Sequence, residues 1–404
     1  MKNDKFTFKG HSSNLEKGEA VFHFSLEHNH KNVGFQEKIS FPPVTSAIPS
    51  ALLKSILDNL MLILGISYWK TYCPKNIIIE DNFLTKKQAE FWNTVYTKGM
   101  GEFFYKNNID FRGLIKFPFV ESVKVLLTPY PRRERSLLLL GGGKDSIVAA
   151  EILKKQEKDF DLFMTGTSQI QEDVAEVMNK KPIVFKRELD PKLFDLNKQE
   201  DTFNGHIPIS AIYAFLGLLA SALYNYSSVV VGNEKSANFG NVEYLGQTIN
   251  HQWSKSEEFE KLFRNYLKEF ITSDVSYSSI LRNVTELEVV KEFVKYPKYF
   301  KVFSSCNRNF KILKQVQNDK NRWCGECAKC LFVFTLLAAY LSKEEVLTIF
   351  GKNLFEDKSL FPIFQELLGI KDFKPFECVG TPEEMKIALK KIKEKGEFNE
   401  TFGV

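Results

Sequence analysis

The stretch Ser136-Leu137-Leu138-Leu139-Leu140-Gly141-Gly142-Gly143-Lys144-Asp145-Ser146 decides the fold. An apolar run with no polar alternation is what a strand buried on both faces looks like. It ends in three glycines, and Lys144 to Gln156 continues with helical spacing. Glycines between a buried strand and a helix let backbone N–H groups close around an anion at the helix N-terminus, and phosphate is the anion that suits such a loop. On glycine content alone, a plain strand-to-helix turn with Ser146 as N-cap remains the alternative. The Walker A pattern is absent, and the dinucleotide fingerprint fails because Ser146 occupies its third glycine position. Asp145 would repel a phosphate unless a divalent cation lay between them, with Lys144 balancing charge.

Outward from this loop, Asp161–Thr165 and Pro182–Phe185 read as short strands, Ile209–Tyr224 as a long apolar helix and Val229–Gly232 as another strand. Alternating strand and helix predicts an α/β domain with a doubly wound parallel sheet over residues 130–300. Upstream, Pro131-Arg132-Arg133-Glu134-Arg135 reads as a linker. Residues 4–42 alternate apolar and polar in short bursts, which predicts a small antiparallel sheet, and Ser50–Trp69 and Thr85–Tyr105 read as helices. Together these make an N-terminal α+β domain over 1–125. Its His11, His23, His28 and His30 lack metal-ligand spacing and read as solvated or structural.

Downstream, Cys306, Cys324, Cys327 and Cys330 form C-x17-C-x2-C-x2-C, a spacing that suits tetrahedral zinc in a closed, structural site spanning 301–345. Cys73 and Cys378 stand apart and read as buried cysteines without function. Residues 346–404 read as helical, ending in a lysine-rich helix, Met385–Lys395, with a solvated face.

Composition narrows the classes. With 404 residues, 44% apolar and 26% charged, the chain is globular rather than disordered. The net charge of +5 is spread without a basic stripe, so nucleic acid is not an expected partner. No signal peptide core follows Met1, and the greasiest stretch, Asn59–Trp69, is too short to span a membrane and reads as a core helix. A cytoplasmic location without membrane insertion is expected, and the clustered cysteines suit a reducing compartment.

GGGKDS resembles the PP-loop of ATP pyrophosphatases, S-G-G-x-D-[ST], with Gly141 in place of the serine. That family splits ATP to AMP and pyrophosphate and transfers AMP to a carbonyl or carboxyl oxygen. A cysteine cluster similar to this one follows the PP-loop domain in enzymes that make 7-cyano-7-deazaguanine. Further polar stretches follow the predicted strands: Asn233-Glu234-Lys235-Ser236-Ala237-Asn238 and Asn250-His251-Gln252-Trp253-Ser254-Lys255-Ser256. Taken in order with GGGKDS, SSCNRNF (304–310), RWCGECAKCLFVF (322–334) and the upstream GEFFYKNN (101–108), they resemble the UDP-N-acetylmuramoyl-L-alanyl-L-glutamate epimerase family over nearly the whole chain.

The resemblance implies epimerisation of the terminal L-glutamate of a UDP-linked muramoyl dipeptide to D-glutamate, with ATP and Mg2+, in peptidoglycan precursor synthesis. It places the pyrophosphate on Gly141, Gly142, Gly143, Lys144, Asp145 and Ser146, and Mg2+ on Asp145. Lys144 would stabilise developing charge, and Glu234 or His251 would supply the base. Two other readings of the loop stay open: a PP-loop enzyme that amidates or thiolates a nucleobase or tRNA, and a nucleotide-binding sensor without catalysis.

Overall fold

The protein was analysed as a computed structural model, which describes residues 4–44, 47–80, 83–121, 125, 127–306, 308, 322–371 and 373–398. Asn307 and residues 309–321 of the connection between Cys306 and Cys324 lie outside the described residues. So do residues 122–124, near the expected end of the first domain, and the terminal 399–404.

The strands in chain order are β1 (Lys5–Asn14), β2 (Glu19–His28), β3 (Lys31–Ser40), β4 (Asn76–Ile79), β5 (Arg133–Leu139) and β6 (Phe160–Thr165). They continue with β7 (Ile183–Glu188), β8 (Tyr226–Val231), β9 (Val242–Tyr244), β10 (Gln247–Ile249) and β11 (Ser276–Ser279). Nine form one sheet in the order β11-β8-β5-β6-β7-β3-β2-β1-β4, and β9 and β10 form a separate hairpin. The half from β11 to β7 is parallel throughout. The expected N-terminal meander, β1 to β3, is antiparallel, and β4 adds to it in parallel.

The leucine run behaves as its composition requires. Leu138 and Leu140 pack with the helix Lys144–Lys155 in one core, while Leu137 packs with the helix Ile209–Tyr224 in the other. Successive strand residues point to opposite faces, so a strand covered by helices on both sides has no position left for a polar residue. Each buried leucine contributes roughly 1.5–3 kcal/mol.

Three expectations change. The arginine-rich segment 131–135 is not a linker throughout, because β5 already begins at Arg133; Arg135 is anchored by ion pairs to Asp159 and Asp161 and by Tyr226, whose ring lies 4.8 Å away. The meander is also not a separate small sheet, since β3 pairs antiparallel with β7 from Lys38↔Glu188 to Ser40↔Lys186 and joins it to the parallel half. A buried ion pair, Arg187 Nε to Glu37 Oε1 at 2.6 Å, fastens that seam, and Arg187 also donates to Ser67. Finally, the last helix is more than a solvated face. It starts at Pro382 behind a Thr381/Glu384 capping box and buries Met385, Ala388, Leu389 and Ile392.

The helix Ser50–Leu64 and its continuation Ile66–Trp69 together match a membrane span by length and hydropathy, yet 67% of that window is buried inside the protein. The helix Lys86–Gly99 opens with a capping box between Thr85 and Gln88. Both pack into the same aromatic core as the meander.

Candidate active site

The site forms where the parallel strands end. Gly142 takes φ +82°, a left-handed conformation that side chains other than glycine adopt at a cost, and the helix Lys144–Lys155 begins immediately after it with Gly143 as N-cap. The Ser146 hydroxyl donates to Gly143 O at 3.0 Å and therefore does not cap the helix. A neighbouring segment closes on the loop: Ser304 N donates to Gly142 O at 3.2 Å, and a Cβ built on Gly143 would lie 3.2 Å from that of Ser305. The Ser305 hydroxyl oxygen is buried and makes no hydrogen bond among the described residues. An unpartnered hydroxyl beside a glycine-rich helix start fits an anionic ligand such as a nucleotide phosphate.

Asp145 converges with Glu234 and Glu286, each offering an oxygen within 4.8 Å of the others. Glu234 follows β8, and its carbonyl accepts from Arg282 at 3.3 Å. Glu286 opens the helix Glu286–Phe293; its backbone N–H donates to Glu384 of the last helix at 2.8 Å. Lys144, fully buried, is ion-paired to both Asp145 and Glu286, so its ammonium sits among carboxylates.

Burial, then Glu286 and Asp145, push the Glu234 carboxyl up to about 7, and burial raises Glu286 as well. Burial acts the same way on Asp145, but the Lys144 and Lys329 charges outweigh it and hold its carboxyl below the usual range. Three hard oxygen donors converging on one point are the kind of donor set that Mg2+ prefers.

A second cluster borders the first. Glu102, in the GEFFYKNN segment, bonds His251 Nδ1 and lies 3.3 Å from His206 Nδ1. Burial alone would neutralise His251, yet the Cys378 and Glu102 partners raise it to about 9, leaving an imidazolium at neutral pH. An imidazolium carries no free lone pair to accept a proton, which sets His251 apart from Glu234 as a base. His206, by contrast, is driven down to about 4 by burial and by the His251 charge. Lys255 Nζ lies 3.3 Å from Cys378 Sγ.

The third cluster is the cysteine set, whose four sulfurs lie within 4.8 Å of one another. Cys324 and Cys327 stand 3.6 and 3.5 Å from Cys330, close to the roughly 3.8 Å that a tetrahedron of zinc–sulfur bonds requires. Gly325, at φ +66°, makes the turn between the first two of these cysteines. The four residues therefore fit zinc.

Sequence reasoning brought together the loop, Asp145, Glu234 and the cysteines. It did not single out Glu286, Glu102, His206 or Lys329, it held Lys255 only as part of the polar stretch 250–256, and it read Cys378 as a cysteine without function. Glu286 lies in Thr285-Glu286-Leu287-Glu288, which reads as a helix cap and nothing more, and no spacing links Glu102 to His251.

Residues 1–280 match the MurL N-terminal domain and residues 302–404 the MurL C-terminal domain. The chain belongs to the MurL family. Relatives named UDP-N-acetyl-alpha-D-muramoyl-L-alanyl-L-glutamate epimerase occur in Xanthomonas oryzae pv. oryzae, Micromonospora sp. and Salinispora tropica. The first is 36% identical over 90% of this chain and 81% of its own. The second is 35% identical over 98% and 88%, and the third 36% over 97% and 85%. This MurL chain thus matches those relatives nearly end to end, with the loop, the carboxylates and the cysteines all inside the matched span.

Proposed function

We propose that the protein epimerises the terminal L-glutamate of UDP-N-acetylmuramoyl-L-alanyl-L-glutamate to D-glutamate, using ATP to activate the α-carboxylate. The observation that carries this reading is the near end-to-end match to relatives of that name, together with buried carboxylates converging on the glycine loop.

The chemistry explains the need for ATP. Removing the α-proton of a free carboxylate would place a second negative charge beside the first. Once a carboxylate oxygen attacks the α-phosphorus and pyrophosphate leaves, the acyl group is electron-withdrawing and its α-proton is removable. In this reading the backbone amides of 141–146 and the Ser305 hydroxyl hold the phosphates. Asp145 and Glu286 would hold Mg2+, which when bound supplies charge neutralisation at the phosphate oxygens. Lys144 keeps these carboxylates in register. Glu234 exchanges the α-proton on one face, reprotonation occurs from the other, and water releases AMP and the D-glutamyl product. The preceding alanyl amide can also close onto the activated carbonyl, giving an oxazolone with a still more acidic α-proton. The cysteine set, with four thiolates and no open position, holds zinc structurally.

The test is turnover of that substrate with ATP and Mg2+ in deuterated water. D-glutamyl product with deuterium at the α-carbon, AMP and pyrophosphate are expected, and Asp145→Asn should abolish pyrophosphate release. Product without label, or turnover independent of ATP, overturns the activation route; an amidating or thiolating enzyme incorporates no label there.

A further inference from the structure

Epimerisation needs a proton-transfer group on each face of the α-carbon, and the carboxylate cluster accounts for one. Next to that cluster, linked to it through Lys329, lies a sulfur set among cations. Cys378 is half-buried, with Lys255 Nζ at 3.3 Å and His251 Nε2 at 3.8 Å from its Sγ. His251 is itself oriented by Glu102, so the arrangement is acid, imidazole and thiol in series, the layout that activates a sulfur. Two lysines tie this sulfur to the phosphate loop. Lys255 feels the charges of Cys378, Glu234 and Asp145 together. Lys329 donates to the Cys378 carbonyl and lies 3.8 Å from Glu286 Oε1.

We propose that Cys378 is the second proton carrier of the epimerase, its thiolate taking the α-proton from one face of the activated glutamate while Glu234 serves the other.

This rests on the epimerase reading of the same site. The sulfur–hydrogen bond forms as the α-carbon–hydrogen bond breaks, the electron pair moves into the activated carbonyl, and a proton from the opposite group restores the carbon with inverted configuration. The charged groups facing Cys378 favour the thiolate. Burial opposes the charge, but Lys255, His251 and Lys329 outweigh it and hold the thiol well below its ordinary value. On its own segment, Lys374 adds positive charge and Glu377 opposes it. A sulfur held in this way is deprotonated at neutral pH and so has a lone pair free to accept a proton.

The experiment measures two partial reactions of full-length Cys378→Ala and Cys378→Ser with the UDP-linked dipeptide, ATP and Mg2+ in deuterated water. Expected is α-deuterium uptake lower by about 10²- to 10⁴-fold with substrate-dependent pyrophosphate release retained. Deuterium uptake close to wild type in either variant overturns the proposal. So does loss of pyrophosphate release in step with label, or a substrate adduct on Cys378 by intact mass. If the variants fail to fold, wild-type protein is treated with iodoacetamide at pH 6.5 and mapped by peptide mass. Faster labelling at Cys378 than on a free thiol, slowed by substrate and ATP, is expected; an unreactive Cys378 overturns the assignment. Absence of pyrophosphate release by the wild type would instead remove the epimerase reading itself.

Discussion

The cysteine cluster and the carboxylate cluster each gather their ligand atoms within 4.8 Å, but they are built in opposite ways. Three of the four cysteines come from one turn and the helix start after it, Cys324 to Cys330, so local backbone geometry does most of the gathering. Asp145, Glu234 and Glu286 come from three separate segments after three different strands, and only the sheet brings them together. The first set is soft and closed, with every ligand position filled by a cysteine. The second is made of hard oxygen donors and is held by two buried lysines, Lys144 and Lys329.

That contrast can be broken by experiment. Lys144→Met should have the largest effect, because it strips the buried counter-charge from Asp145 and Glu286. A loss of about 3–5 kcal/mol in denaturant unfolding is expected. Adding Glu286→Gln should recover part of it, and equal stability of wild type and Lys144→Met would mean that the lysine does not hold the cluster. For the cysteine set, about one zinc per chain is expected by metal analysis. Cys327→Ser or strong chelation should lower the melting temperature, with the magnitude set by how far metal binding is coupled to folding. Freely reactive thiols at all four positions in the folded protein would contradict it.

The Glu102–His251 pair offers a smaller, pH-dependent test. His251 is raised to about 9, so its share of the stability is complete below its ordinary pKa and is lost as pH rises through 9. Glu102 is lowered to about 2: burial opposes this, but the His251 hydrogen bond and charge prevail. Its share is present above the ordinary carboxylate pKa and is lost as pH falls toward 2. Glu102→Gln should therefore cost most between about pH 5 and 6.5 and progressively less above pH 8. A pH-independent cost would mean that the pair acts through packing alone.

The smallest effect belongs to Ser305→Ala. Its hydroxyl has no partner among the described residues, so the unliganded protein should lose no stability. Nucleotide binding should weaken by about 2- to 10-fold, the equivalent of one hydrogen bond. Measured by equilibrium binding of ATP, unchanged affinity would take Ser305 out of the proposed phosphate site.

Much of the site was legible because local physics writes it locally. Three glycines after a leucine run force a strand-to-helix turn whatever surrounds it, and C-x2-C-x2-C is short enough for one turn to converge its sulfurs. Glu234 stood out as polar after a strand. Cys378 did not, because a cysteine's chemistry depends on its neighbours, and Lys255 and His251 reach it across more than a hundred residues.

The same division holds for the fold. The parallel half, with its uninterrupted apolar strands, and the alternating meander were each determined by the order of apolar and polar residues, since side-chain direction repeats every second residue along a strand. That the two halves form one sheet was decided by tertiary structure, through the pairing of β3 with β7 and the Arg187–Glu37 ion pair. Strand order and buried charge pairing are contacts between residues distant in sequence. No local pattern encodes them, so the protonation and partners of Glu234, His251 and Cys378 followed only once the chain had closed around them.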